Sequence, residues 1–212
     1  MSREPSSSPG AALPLADLSV LVLAGGAGRR MGGDKPTREL HGARLVDPSL
    51  ELALRLSDDV LLADGEAALP LPPSARRVRD DPELAGPLAG LLPGLAAARH
   101  AWVLVLPCDL LRPSEAVVRA LLARARARAA QAVVVRDEAG RQPFHALWAR
   151  ASLPALQARL ASGGRSMLSL LDALTVCEVP AVELHDLDPQ RGYLCDLDTQ
   201  DDLRAARRGD LP

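Results

Sequence analysis

Four short segments of this 212-residue chain carry the side chains that could do chemistry. The first runs from Leu23-Ala24-Gly25-Gly26 through Arg29, Arg30, Met31 and Gly32 to Asp34 and Lys35. Glycines let the backbone approach a ligand closely and turn successive N–H groups toward an anion. Arg29, Arg30 and Lys35 add mobile positive charge, so the segment is suited to a polyphosphate. It is neither of two familiar phosphate loops. In GxxxxGK[ST] a lysine directly follows the second glycine, but here Asp34 follows Gly33 and Pro36 replaces the hydroxyl residue. Counting GxGxxG from Gly26 and Gly28 puts Met31 at the third glycine. A turn that merely needs glycine is the alternative, and the cations weigh against it. Lys35 stands out further as the only lysine in a chain with 25 basic residues.

The second segment is Leu106-Pro107-Cys108-Asp109, directly after an apolar run. A carboxylate at the carboxyl end of a strand can hold Mg2+ through an oxygen, or can simply cap the next helix. Cys108 is read as a small buried filler. A third segment runs from Arg79 through Asp81 to Gly86-Pro87-Leu88-Ala89-Gly90, where Gly86-Pro87 would open a helix with free N–H groups. In the fourth, Asp196 and Asp198 flank Leu197 on an extended stretch, so their carboxylates share a face. Thr199, three residues before Asp202, caps a final helix.

These segments need elements to hold them. Apolar runs at 18–23, 60–62, 102–106, 132–135 and 176–179 read as buried strands. Helical patterns at about 49–57, 87–100, 113–130 and 199–208 alternate with them. A turn at 137–140 suggests a β-hairpin insertion near 133–148. The expected fold is α/β: a single-domain, three-layer arrangement with a mostly parallel sheet and helices on both faces. In such folds ligands bind beyond the carboxyl ends of the strands, where the first two segments lie. Residues 1–17 are rich in Ser, Pro and Ala and read as a flexible N-terminal tail before a domain at 18–210. They lack the basic start and apolar stretch of a secretory signal, so a cytoplasmic location is expected.

Composition narrows the function classes. With 48% apolar residues the chain can build a core, and no apolar run is long enough for a membrane helix. A net charge of −2 and 2% aromatics argue against nucleic-acid binding. Three cysteines without a CxxC pair support neither a disulfide framework nor a zinc site. His41, His100, His145 and His185 have no metal-ligand spacing, and the arginines between Arg119 and Arg128 read as a solvated helix face.

Taken together the segments resemble the molybdenum cofactor guanylyltransferases, within the wider class of Rossmann-like nucleotidyltransferases. The matching residues are Leu23–Gly26, Arg30-Met31-Gly32 and Asp34-Lys35; Asp81 before Gly86–Gly90; Pro107-Cys108-Asp109; and Gln142-Pro143 with Ala146-Leu147. The resemblance implies transfer of GMP from GTP to the terminal phosphate of the molybdopterin cofactor, with release of pyrophosphate. It implies that Leu23, Ala24, Gly25 and Gly26 meet the base and ribose and that Arg30 and Lys35 grip the triphosphate. Asp81 would help hold the nucleotide and Asp109 would ligate Mg2+; Arg30, Lys35 and Asp109 make up the catalytic set. Molybdoenzyme chaperones are the candidate recipients of the product.

The chain departs from the family pattern at three places. Ala63, followed by Asp64, stands where the family has an asparagine at the guanine site, and Asp64 could accept from guanine instead. Leu110-Leu111 replaces Met-Pro. Asp196-Leu197-Asp198-Thr199-Gln200 replaces Asn-x-Asn-Thr-Pro, which makes Asp196 a candidate second Mg2+ ligand, ahead of Asp198. A cytidylyltransferase or sugar-phosphate nucleotidyltransferase of the same fold, and a non-catalytic nucleotide-binding regulator, are the competing readings.

Overall fold

The computed structural model describes residues 14–25 and 35–211. Gly26 and Arg30 lie outside the described residues, as do Arg29, Met31, Gly32 and Asp34.

Strand β1, Leu18–Leu23, is buried at every position, because both faces of the sheet are covered. After it come a 3-10 turn at Lys35–Thr37 and a two-stranded ladder of β2, Glu39–Leu40, and β3, Ala43–Arg44. Helix α1, Asp47–Leu56, begins with a proline in its first turn and leads to β4, Val60–Ala63. β5, Ala75–Arg77, follows, then helix α2, Pro87–Ala97, and β6, Trp102–Pro107. Helix α3, Glu115–Ala127, is capped by the Ser114 hydroxyl accepting from the Val117 N–H. The hairpin is β7, Ala132–Asp137, and β8, Gly140–Ala149. Helices α4, Leu153–Ala161, and α5, Met167–Leu171, precede β9, Val176–Pro180, and α6, Gln200–Arg208, closes the chain.

The seven-stranded sheet has the order β5-β4-β1-β6-β8-β7-β9. β8 alone runs antiparallel to its neighbours, between β6 and β7, so the hairpin is built into the sheet rather than added at its edge. Side chains alternate across the pleat. Val20 and Val22 pack on one face with Leu52 and Leu56 of α1 and Val118 and Leu122 of α3. Leu21 and Leu23 pack on the other with Leu91 and Leu95 of α2, Leu156 of α4 and Leu170 of α5. The three expected layers are therefore present. The sequence reading missed β5, the β2–β3 ladder, α4 and α5, which are short or alanine- and arginine-rich. Among the described residues no helix is long and apolar enough to cross a membrane.

The last residues of the expected tail are tied to the domain. Leu15 N–H donates to Leu56 O (2.8 Å), Trp102 N–H donates to Asp17 O (3.1 Å), and Arg126 pairs with the Asp17 carboxylate. The other α3 arginines are also engaged, Arg119 with Glu115 and Arg124 with Glu183, both at 2.8 Å. These are features of a solvated face.

One break in regularity positions the site. Pro93 lies inside α2 and has no N–H for the carbonyl of Ala89, one turn earlier. Asp81 N–H donates to that carbonyl instead, at 2.8 Å, which fastens the acidic segment after β5 to the helix.

Candidate active site

Parallel pairing brings β1, β4 and β6 to one carboxyl edge, where Leu23 lies opposite both Ala63 and Pro107. Two backbone groups of the expected nucleotide loop are spent on the sheet here. Ala24 N–H donates to Ala63 O (2.7 Å), and Leu23 O accepts from Cys108 N–H (3.0 Å). The chain leaves the sheet at Gly25, which is exposed.

Lys35 and Asp109 converge at this edge. The Lys35 ammonium forms an ion pair with Asp109 Oδ2 and a 2.8 Å contact with Asp198 Oδ1. Burial disfavours the lysine's charge, but the Asp109 and Asp198 carboxylates outweigh it and hold the amine above its ordinary range. The other Asp109 oxygen, Oδ1, is buried and has no hydrogen-bond partner among the described residues. Asp196 is brought alongside by an antiparallel bridge between its backbone and Leu110, and by Leu197 N–H donating to Asp109 O (3.0 Å). Asp196 is exposed overall, but desolvation of its carboxyl, with Asp109 and Asp198 nearby, pushes it up to about 7. Among the described residues no three acidic, histidine or cysteine side chains are grouped as a closed metal site. Asp109 and Asp196 nevertheless each carry hard oxygen donors, and Mg2+ commonly takes one or two carboxylates with substrate phosphates completing its shell. Burial also pushes the Cys108 thiol up to about 12, which fits a filler and not a nucleophile.

A cavity of about 770 Å³, within the size range of ligand sites, opens between Pro36 and the segments that follow β4 and β5. Pro36, next to Lys35, lines one part of it; Asp64, Arg79, Asp80, Asp81 and Ala89 line others. The acidic segment divides its labour differently from the sequence reading. Asp81, the residue matched to the family pattern, lines the cavity, but its Oδ1 accepts Glu83 N–H (2.9 Å) and its backbone is hooked to α2. Its neighbour Asp80 lies against the glycine loop: a Cβ at Gly25 would come within 2.7 Å of Asp80 Oδ2, and one at Gly90 within 3.4 Å of Oδ1. Asp80 Oδ1 is buried without a partner among the described residues, and burial, helped by Asp64, raises the carboxyl above its ordinary range. Sequence reasoning missed Asp80. The available signal was Pro93, which leaves the Ala89 carbonyl free to accept Asp81 N–H and so fastens Asp81, rather than Asp80, to α2.

Asp64 has little left to offer a base. Its Oδ2 accepts Leu69 N–H (2.7 Å) and its Oδ1 accepts from Arg77 Nε (3.0 Å), so it latches the segment after β4. His145 does not face the site at all. It is fully buried, its Nε2 accepts Ser114 N–H (3.1 Å), and burial drives it down to about 4, so it is neutral. Its ring lies 5.4 Å from that of Tyr193.

The model of the MobA-like NTP transferase domain matches residues 20–176. A molybdenum cofactor guanylyltransferase of Pseudomonas syringae pv. syringae is 35% identical over 184 residues, covering 85% of this chain and 90% of its own. One from Pseudomonas entomophila is 37% identical over 176 residues, covering 81% and 91%. Among solved structures, the molybdopterin-guanine dinucleotide biosynthesis protein A of Archaeoglobus fulgidus superposes with a TM-score of 0.78 at 22% identity, covering 91% of this chain and 98% of its own.

Proposed function

Because the chain belongs to the MobA-like NTP transferase family, we propose that it is a molybdenum cofactor guanylyltransferase, moving GMP from GTP onto the terminal phosphate of molybdopterin. The carrying observation is that Lys35 pairs with Asp109 at the strand edge, while the next residue, Pro36, lines a cavity whose wall also carries Asp80. A triphosphate and a base need two such stations. We take the reaction to be cytoplasmic, with molybdoenzyme chaperones receiving the product.

A phosphate oxygen of molybdopterin attacks the α-phosphorus of GTP in line, and the bond to the α–β bridging oxygen breaks as pyrophosphate leaves. The attacking oxygen is already ionised at neutral pH, so no general base is required. Lys35, with Arg30, offsets charge on the phosphoryl oxygens as it shifts toward the leaving group. Asp109, through its unpartnered oxygen, and Asp196 would hold Mg2+, which supplies further positive charge at the α-phosphate. Gly25 lets the backbone come close to the nucleoside. Asp80 accepts from the guanine N1 and N2 donors, replacing the asparagine that Ala63 lacks; Asp81 holds the segment that presents it.

The test offers GTP, CTP and ATP in turn with Mg2+ and molybdopterin and measures pyrophosphate. Release from GTP alone is the expected result. Release from CTP would overturn the guanylyl assignment and leave the transferase; release from none would favour a non-catalytic binder.

A further inference from the structure

We propose that Lys35 is a tethered counter-ion that competes with the divalent cation for Asp109, and that the nucleotide's triphosphate opens the carboxylate by drawing the lysine away. This deepens the reading of Asp109 as a metal ligand and rests on it. Lys35 pairs with Asp109 through Oδ2; among the described residues Oδ1 of the same carboxylate is buried and unpartnered. A divalent ion bonded to that oxygen would lie within about 7 Å of an ammonium still seated on Oδ2, given metal–oxygen distances of about 2.0 to 2.6 Å and hydrogen-bond distances of about 2.8 Å. In so dry a place two cations repel strongly, because Coulomb energy grows as the effective dielectric falls. One must yield.

The lysine is built to yield. Its backbone is fixed by the 3-10 turn at Lys35–Thr37, with Pro36 O accepting Val46 N–H (3.3 Å), so only the flexible side chain need move. Its second partner, Asp198, is 62% exposed, so giving up that contact costs little. Pro36, the next residue, lines the cavity, so a triphosphate entering there would come to a lysine side chain anchored one residue away. Metal and nucleotide would then bind with positive coupling, and the nucleotide-free protein would hold metal weakly.

Mn2+ titration followed by electron paramagnetic resonance, without nucleotide, tests this directly. Lys35→Met should bind Mn2+ about tenfold more tightly than the unaltered protein, or better, as expected for removing one nearby positive charge. Lys35→Gln should do the same, which covers the case in which the methionine variant folds poorly. Arg112→Gln is the control: it removes a cation that reaches Gln190 rather than Asp109, and should change affinity less than twofold. Equal affinity in the unaltered protein and both Lys35 variants would overturn the competition and leave the metal site standing. Tightening by Arg112→Gln as large as that by Lys35→Met would reduce the effect to general charge and also overturn it. If neither the unaltered protein nor the Lys35 variants bind Mn2+, the metal reading of Asp109 falls as well.

Discussion

The two edges of the sheet each bury aspartates, and Asp59 at one is treated in the opposite way from Asp80 and Asp109 at the other. At the amino edge, just before β4, Asp59 is fully buried and fully answered. It accepts from Ser19 Oγ (2.6 Å), Arg76 Nη2 (2.6 Å) and Arg99 N–H (2.8 Å), and Arg99 Nε lies 3.1 Å away. Burial opposes its charge, but those donors outweigh it and bring the carboxyl down to about 2. At the carboxyl edge Asp64 is also answered, but Asp80 and Asp109 each leave one buried oxygen without a partner among the described residues, and Asp80 is shifted upward. The same residue type is structural where its donors are complete and is set up for a ligand where they are not. Unanswered buried groups lower stability, so a fold retains them where a ligand supplies the missing partner.

Substitution can break this contrast. Asp59→Ala removes three donors' acceptor at once and should cost about 3 kcal/mol, lowering Tm by roughly 10 °C. Thermal melting checks the loss, and kcat/KM below the transition should stay near that of the unaltered protein. Asp109→Asn should do the reverse. Turnover should fall about 10²-fold or more, equivalent to about 3 kcal/mol of barrier, with Tm within a few degrees. A Tm collapse in Asp109→Asn with normal residual turnover would erase the distinction between the edges.

Much of this was legible in the sequence, and the limits are physical. β1 reads at its observed bounds because a strand buried on both faces is a continuous apolar run, and Lys35 and Asp109 read from residue type and position at strand ends. β5 was hidden because an edge strand of Ala75, Arg76 and Arg77 buries only its alanine. The site of β8 within the sheet is a tertiary choice that a turn at 137–140 does not encode. Asp80 and Asp81 are adjacent and identical in type. What separates them is a carbonyl released by a proline twelve residues downstream of Asp81, together with the close approach of Gly25 and Gly90.

Acid sharpens the comparison next. The Asp59 carboxyl sits at about 2 when folded, below its ordinary 3.8. A lowered value stabilises the fold above the unfolded pKa and loses that contribution as pH falls through the folded one. Roughly 2 kcal/mol should therefore disappear between about pH 4 and pH 2. Asp59→Asn should flatten that part of a denaturant-measured stability profile. If its profile matched that of the unaltered protein, Asp59 would not be the anchor described.

Asp80 should give the smallest effect and the clearest sign. Its carboxyl is shifted upward by burial and by Asp64, so at neutral pH its charge opposes folding. Replacing it with a neutral isostere removes that opposition: Asp80→Asn should leave Tm unchanged or raise it by a few degrees, where Asp59→Asn lowers it. The cost should appear in the nucleotide instead. An amide presents one acceptor and adds a donor facing the guanine N1–H and N2–H groups, so preference for GTP over ATP should fall by about 10- to 100-fold. Competition binding with the two nucleotides measures this. Intact selectivity in a well-folded Asp80→Asn would return the base-reading role to another residue and leave Asp80 as a buried acid without a function to explain its missing partner.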